Sequence, residues 1–203
     1  ITTMQKTPVL VVSYWLTYIE VNNMVKLDRI EHIVTIPEGV TASISEDGVV
    51  TIQGPKGSLS REFKSTFISL LQDGSGLTVR VDMPRRKQRA LAGTWNAHLN
   101  NMVKGVTDGF TYNLKAFYSH FPMTMSVKGN VFVVNNYFGE RVPRNAAILS
   151  GVEVKVNNKV EVVVSGIDKE NVGQTAANIE KCATVKNRDR RVFQDGIYLI
   201  NKE

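Results

Sequence analysis

The chain has one cysteine, Cys182, among 203 residues. No disulfide can close within it, and no cysteine-based zinc site can form. A lone thiol fits a reducing compartment. Its three histidines, His32, His98 and His120, lie far apart and lack the spacing of metal ligands. Long apolar runs are also missing. The nearest is Pro8 to Val21, "PVLVVSYWLTYIEV", too short for a helix to cross a bilayer, which needs ~20 residues. It makes a poor secretory signal too, with one Lys ahead of it and no clean small-residue cleavage site. We read residues 1–23 as an N-terminal extension ahead of a natural start at Met24, because regular patterning begins only there. If ordered, its β-branched content suits an added edge strand.

Catalytic motifs are absent as well. No Ser, His and Asp occur in a pattern that activates a nucleophile. "QGPKGS", from Gln53, lacks the first glycine of a phosphate loop, and strand rather than helix follows it. A hairpin turn explains it, with Lys56 at the tip. Cys182 has Lys181 and Lys186 as neighbours, which favour a thiolate, but no candidate base is near. Packing is the better reading. We therefore expect no enzyme, no cofactor, no metal and no small-molecule substrate.

What is present is an ordinary globular composition, 42% hydrophobic and 22% charged, with a net charge of +6. Two copies of one plan follow Met24. In the first, Val40, Ala42 and Ile44 alternate along a strand, and Asp47-Gly48 makes a hairpin turn. Strands follow at 49–53 and 77–81. Leu91, Trp95, Leu99, Met102 and Val106 then form one helical stripe. In the second, Pro122 answers Pro37, the 132–134 strand answers 49–52, and Gly139 answers Gly57. "VEVKV" and "KVEVVVSG" make a further hairpin around Asn157-Asn158. A second helix places Val172, Ala176, Ile179 and Ala183 on one face. Both helices close on Asp-Gly and a strand, at Thr107–Leu114 and Gln194–Ile200. Pro37 to Pro122 sets an internal repeat of about 85 residues. The expected fold is α+β: two duplicated domains, 24–108 and 109–203, each a small antiparallel sheet with one helix packed on one face. The segment "DGFTYNLKAFY" is expected to join them as a stiff strand.

Cations cluster at three places: Arg85–Arg89, Lys186–Arg191, and Arg141 with Arg144, near Lys155 and Lys159. Helix stability does not explain the first, since positive charge at a helix N-terminus opposes the dipole by ~0.3–1 kcal/mol per residue. Together the clusters favour an anionic partner. No aromatic pair of the kind that stacks unpaired bases is visible, so structured RNA read by shape and backbone is expected rather than single strands. A protein-interaction module docking acidic partners is the alternative.

Three segments carry a resemblance: "IPEGVTASISEDGVVTIQGPKGSLSREF", "QRALAGTWNAHLNNMVKGVTDGF" and "GIDKENVGQTAANIEKCATVKNRDRRVFQDGIYL". In that order they resemble the universal large-subunit ribosomal protein family called L-six in bacteria and L-nine in eukaryotes. "HFPM" and "TVKNRDRRVFQDGIYL" are similar to its eukaryotic and archaeal branch. The resemblance implies a structural constituent of the large ribosomal subunit in the cytoplasm. It implies binding to large-subunit rRNA near the sarcin-ricin loop and the base of the factor stalk, chiefly through the second domain, beside neighbouring large-subunit proteins. It further implies RNA contacts at Lys186, Arg188, Arg190 and Arg191 and at Lys169, with Arg141 and Arg144 in second rank. The region "ERVPRNAAILSGV" is shorter and less basic here than in the family's eukaryotic members.

Overall fold

The computed structural model describes residues 28–73 and 76–202. The expectations for residues 1–23 lie outside the described residues. Six strands come first: β1 (Arg29–Thr35), β2 (Thr41–Ile44), β3 (Val49–Gly54), β4 (Gly57–Glu62), β5 (Ser69–Asp73) and β6 (Gly76–Asp82). Helix α1 (Arg86–Thr107) follows. They form two antiparallel three-stranded sheets, in the orders β1-β6-β5 and β2-β3-β4. Helix α1 packs on both sheets. The second repeat holds β7 (Phe110–Phe117), β8 (Thr124–Lys128), β9 (Val131–Asn135), β10 (Arg144–Ala147), β11 (Val152–Asn157) and β12 (Glu161–Gly166). Helix α2 (Lys169–Cys182) and β13 (Gly196–Lys202) complete it. Its sheets run β10-β9-β8 and β11-β12-β7-β13, again antiparallel. The duplicated α+β reading therefore holds, with each helix set against two small sheets rather than one. Between β1 and β2 the chain turns at Pro37–Gly39, where Val40 N–H donates to the Pro37 carbonyl and Gly39 has φ +86°.

Each repeat has its own core. In the first, Val50, Ile52, Leu77, Val79 and Leu99 are buried. Phe63 meets Trp95 edge-on at 5.3 Å. In the second, Phe132, Leu114, Val162, Val172 and Ile179 are buried. The stripe on α1 differs by one position from the sequence reading: Ala92 is fully buried and Leu91 is 40% exposed. Counting back from Leu99 by one helical step of seven residues lands on Ala92, so Leu91 rotates off the core face.

The strand expected to link the repeats has a more specific place. All of β7 lies in the second repeat's sheet, between β12 and β13. The two strands that follow the two helices thus become neighbours, which makes this sheet four-stranded. The repeats are then clamped at the start of α2. Arg61 donates to Glu170 at 2.7 Å, His98 Nδ1 lies 3.4 Å from the same carboxylate, and Lys169 Nζ donates to Asn101 Oδ1 at 3.2 Å. Within the first repeat, Lys56 donates through Nζ to the Asp108 carbonyl, where the chain passes to the second. The Ile167 side chain packs against the first core.

Gly105 is needed for this docking, because a Cβ there would collide with the Ile167 carbonyl oxygen. Gly93, on the same helix, faces open space. Gly93→Ala should therefore raise stability by up to ~1 kcal/mol through helix propensity. Gly105→Ala should lower it despite the same intrinsic gain. Thermal unfolding of both variants measures the opposite signs.

Candidate nucleic-acid interface

The C-terminal end of α2 leaves carbonyl groups without helical partners. Here a side chain from β10 meets them. Arg144 donates through Nη1 to the carbonyls of Cys182 and Thr184, at 3.0 and 2.7 Å. Its Nε and Nη2 hold Glu140 in a bidentate pair, at 2.8 and 2.6 Å. Its guanidinium also lies 4.2 Å from the Tyr137 ring centroid. The Arg144 hydrogen bonds come first in holding the Glu140 carboxyl below its usual value, with burial opposing and Lys186 and Arg188 assisting. The cluster at 141–144 and the run after α2 are therefore brought together around one carboxylate.

Tyr137 anchors the same corner from below. It is buried, and its hydroxyl lies 2.6 Å from the Ala183 carbonyl and 2.9 Å from that of Asp195. One proton serves both acceptors in turn. Burial pushes the phenol up to about 12, against a lowering by Arg144, so it stays neutral as a donor. Asn136 and Phe138 flank it with φ of 59° and 51°. Left-handed backbone at a non-glycine residue is strained. Its effect is to turn Tyr137 inward while Phe138 stacks with Phe193 at 5.7 Å and His120 at 6.2 Å. Arg188 lies 5.0 Å from the ring centroids of both Phe138 and Phe193. This predicted contact residue thus pins the basic loop to the domain.

The loop's far end is held by Asp195, which is 3% exposed. Its carboxylate accepts from Ser119 N–H at 3.1 Å, Ser119 Oγ at 2.9 Å and His120 N–H at 3.3 Å, with His120 Nδ1 at 3.2 Å. Ser119, His120 and Asp195 do not make a catalytic relay. Serine and carboxylate both address Nδ1, so the imidazole does not stand between them. With both ends fixed, Lys186, Arg190 and Arg191 are exposed along the loop, and Arg141 is exposed beside it. Lys169 is exposed at the opposite end of α2, on the clamp between repeats. A helix of 14 residues separates the two by about 21 Å. Sequence reasoning missed the Arg144 cap, Tyr137 and Asp195. The paired Asp-Gly before β7 and β13 was the visible signal for the last.

The structure also corrects the expectation of no paired aromatics. Phe117 and Tyr198 lie with ring centroids 6.0 Å apart, both exposed, on neighbouring strands. They are distant in sequence, so no local motif announced them.

The sequence profile described as ribosomal protein L6 matches residues 36–109 and again 121–196. The chain belongs to the ribosomal protein L6 family. The two matched stretches fall on the two repeats, so the family unit is itself the duplicated one. Large ribosomal subunit protein uL6 of Methanobrevibacter smithii is 44% identical over 180 residues, 89% of this chain and all of that protein. The protein of the same description from Methanosphaera stadtmanae is 47% identical, over 88% of this chain and 97% of its own. That from Thermoplasma acidophilum is 45% identical, over 83% and 94%. These relatives are archaeal, in keeping with the branch that "HFPM" pointed to. Among the described residues no group of three or more His, Cys, Asp or Glu could hold a metal ion.

Two predictions follow from this geometry. Burial alone would raise the Asp195 carboxyl, but the bonds from Ser119 and His120 outweigh it and hold it below 3.8. Glu140 is held below 4.5. A lowered folded-state pKa contributes stability that is present above the unfolded value and lost as pH falls through the folded one. Melting temperature should therefore drop steeply below about pH 4. Asp195→Asn should flatten that acid limb and cost ~1–3 kcal/mol at neutral pH through weakened hydrogen bonds.

The second concerns Cys182. Burial pushes its thiol up to about 11, with Arg144 opposing. About one molecule in a thousand is then thiolate at pH 8, against roughly one in four for an ordinary cysteine. Alkylation by iodoacetamide should run on the order of a hundredfold slower than for an unfolded control. A rate near the control's would restore Cys182 as a reactive group.

Proposed function

We propose that this chain is a structural, non-catalytic constituent of the large ribosomal subunit in the cytoplasm, where it binds large-subunit rRNA chiefly through its second repeat, residues 109–203. The observation that carries this is the loop after α2. Its exposed cations Lys186, Arg190 and Arg191 are held at both ends by buried, fully bonded groups. A rigid cationic edge lowers the ordering cost of meeting a phosphate backbone. The relatives are named as large ribosomal subunit proteins, which supports the same assembly. The finer placement, near the sarcin-ricin loop and the base of the factor stalk beside neighbouring ribosomal proteins, rests on the family resemblance.

Within this reading the seven candidate residues have different roles. Lys186, Arg190, Arg191 and Arg141 contact phosphates directly. Arg188 and Arg144 position the loop, one through ring stacking and the other through the helix cap. Lys169 extends the footprint to the far end of α2. The two-ended anchoring of the loop favours this reading over docking to acidic proteins, since phosphates at fixed spacing reward a fixed array.

Co-sedimentation with large subunits at moderate salt tests the assembly. A chain found only in the soluble pool overturns it. Replacing Lys186, Arg190 and Arg191 together with Ala should lower the salt slope of rRNA binding by about 2–3 units, at ~0.7–0.9 per phosphate contact. An unchanged slope places the RNA on another face.

A further inference from the structure

The four-stranded sheet has one face on α2 and one toward solvent. On the solvent face of β7 stand Thr111, Asn113, Lys115 and Phe117, alternating with the buried Phe110, Tyr112, Leu114 and Ala116. In the register of the sheet Tyr198 lies opposite Lys115, one step from Phe117. This places Phe117 and Tyr198 side by side, 47% and 39% exposed, with centroids 6.0 Å apart and planes tilted by 50°. Tyr118, 44% exposed, adjoins them. They open onto a cleft of about 650 Å³ lined also by Arg190 and Phe193. That volume is in the range of small-ligand sites.

Two features show that the rings are set in place. The Tyr198 hydroxyl donates to the Gln194 carbonyl at 3.0 Å. Its ring also folds back over Gly196, where a Cβ would lie 3.1 Å from three ring atoms. A Cβ at 196 would make the ring give by a few tenths of an ångström. The Lys115 ammonium lies over one face of the Phe117 ring, 5.8 Å from the centroid, and leaves the other face to the cleft. The charge around the cleft is positive. Arg190 lines it, Lys115 borders it, and Arg188 and Arg191 stand on the same loop. The acid within it, Asp195, is buried and bonded to Ser119 and His120. Across the sheet Glu161 pairs with Lys115 at the strand's other side.

We infer that this cleft is a base-stacking site, in which Phe117 and Tyr198 receive an unpaired nucleobase of the RNA while Arg190 meets its phosphate. An aromatic face on an antiparallel sheet accepts any base, because every base has a π surface. A cationic rim favours a nucleotide over the apolar side chain of a protein. The inference rests on the RNA-binding reading and adds an unpaired nucleotide to the structured RNA expected from charge alone.

The test uses the full chain and protein-free large-subunit rRNA. Phe117→Leu with Tyr198→Leu keeps apolar volume and removes both rings. Binding should weaken roughly 10–100-fold, with the salt slope unchanged, because stacking releases no counterions. Tyr198→Phe should bind within about threefold of the parent, since it keeps the ring. Ultraviolet irradiation of the parent complex should cross-link Phe117, Tyr118 or Tyr198 to a nucleotide that is unpaired in the rRNA fold, and it needs no variant to stay folded. Unchanged affinity without a cross-link, in a chain that still binds rRNA, overturns the stacking site and leaves the RNA reading standing. A parallel loss of affinity and salt slope also overturns it, because the rings would then act only by supporting the basic loop. Cross-links from these rings to another ribosomal protein in assembled subunits overturn it as well. A parent chain that does not bind rRNA overturns the underlying function itself.

Discussion

The second repeat depends on one guanidinium. Arg144 closes the end of α2 by bonding the carbonyls of Cys182 and Thr184, and it holds Glu140 with its other face. Removing it would leave helix carbonyls unpaired near Tyr137, a ring it also covers. The Arg144 side chain is mostly shielded, 16% exposed, so its bonds to the two carbonyls are screened little, whereas the Glu140 carboxylate, 42% exposed, is screened more by solvent. An arginine is required for the arrangement. A lysine is a single point donor and could not address a carboxylate and two carbonyls in one plane. Through this residue the strand β10, the turn at Tyr137–Gly139 and the C-terminus of α2 become one rigid corner.

The basic loop is set on that corner. Charge repulsion among Lys186, Arg188, Arg190 and Arg191 would drive a free loop outward into many conformations. Arg188, though exposed, instead lies against Phe138 and Phe193, and Glu140 lies near enough for its carboxyl to respond to both Lys186 and Arg188. At the far end, Asp195 ties the loop's exit to Ser119 and His120, where β7 ends. One cation of the run, Arg188, and one acid just beyond it, Asp195, thus hold the remaining cations at fixed positions. At the other end of α2, Glu170 and Lys169 are engaged with Arg61 and Asn101 of the first repeat. The helix therefore carries orientation between the two repeats as well as support for the loop.

Much of this fold could be read along the chain, and the parts that could not share a cause. The duplication and both helices are local patterns, and so is an aspartate just ahead of a helix, a favoured cap. Asp168 does accept from Glu170 N–H, at 2.9 Å. Leu91 was misplaced by one residue because a stripe of 3.6-residue period tolerates either neighbour until the sheet beneath it is known. The strand after α1 was recognised as a strand, but its partner was not, since register with β12 and β13 is set by segments far down the chain. The candidate site divides in the same way. A run of Lys and Arg is visible as charge, yet sequence cannot say which cation is turned inward. Arg144 and Arg191 look alike until Cys182 and Thr184 present their carbonyls to one and solvent surrounds the other. Phe117 and Tyr198 meet only because the post-helix strands of both repeats enter one sheet.

That last meeting follows from the duplication itself. A repeat of strand, helix and strand has one post-helix strand to place. In the first repeat this strand leaves and starts the second repeat's sheet. In the second it has the same sheet available and pairs beside its counterpart. The second repeat therefore gains a strand that the first lacks among the described residues. It also gains an extra pair of solvent-facing positions next to the loop that closes α2. Gly196 helps set what those positions can do, because with no Cβ it lets the Tyr198 ring lie close over the backbone. Two copies of one plan thus come to differ in surface chemistry without differing in core architecture. The difference falls where the basic loop stands, so the cations and the aromatic cleft form one continuous surface on the second repeat.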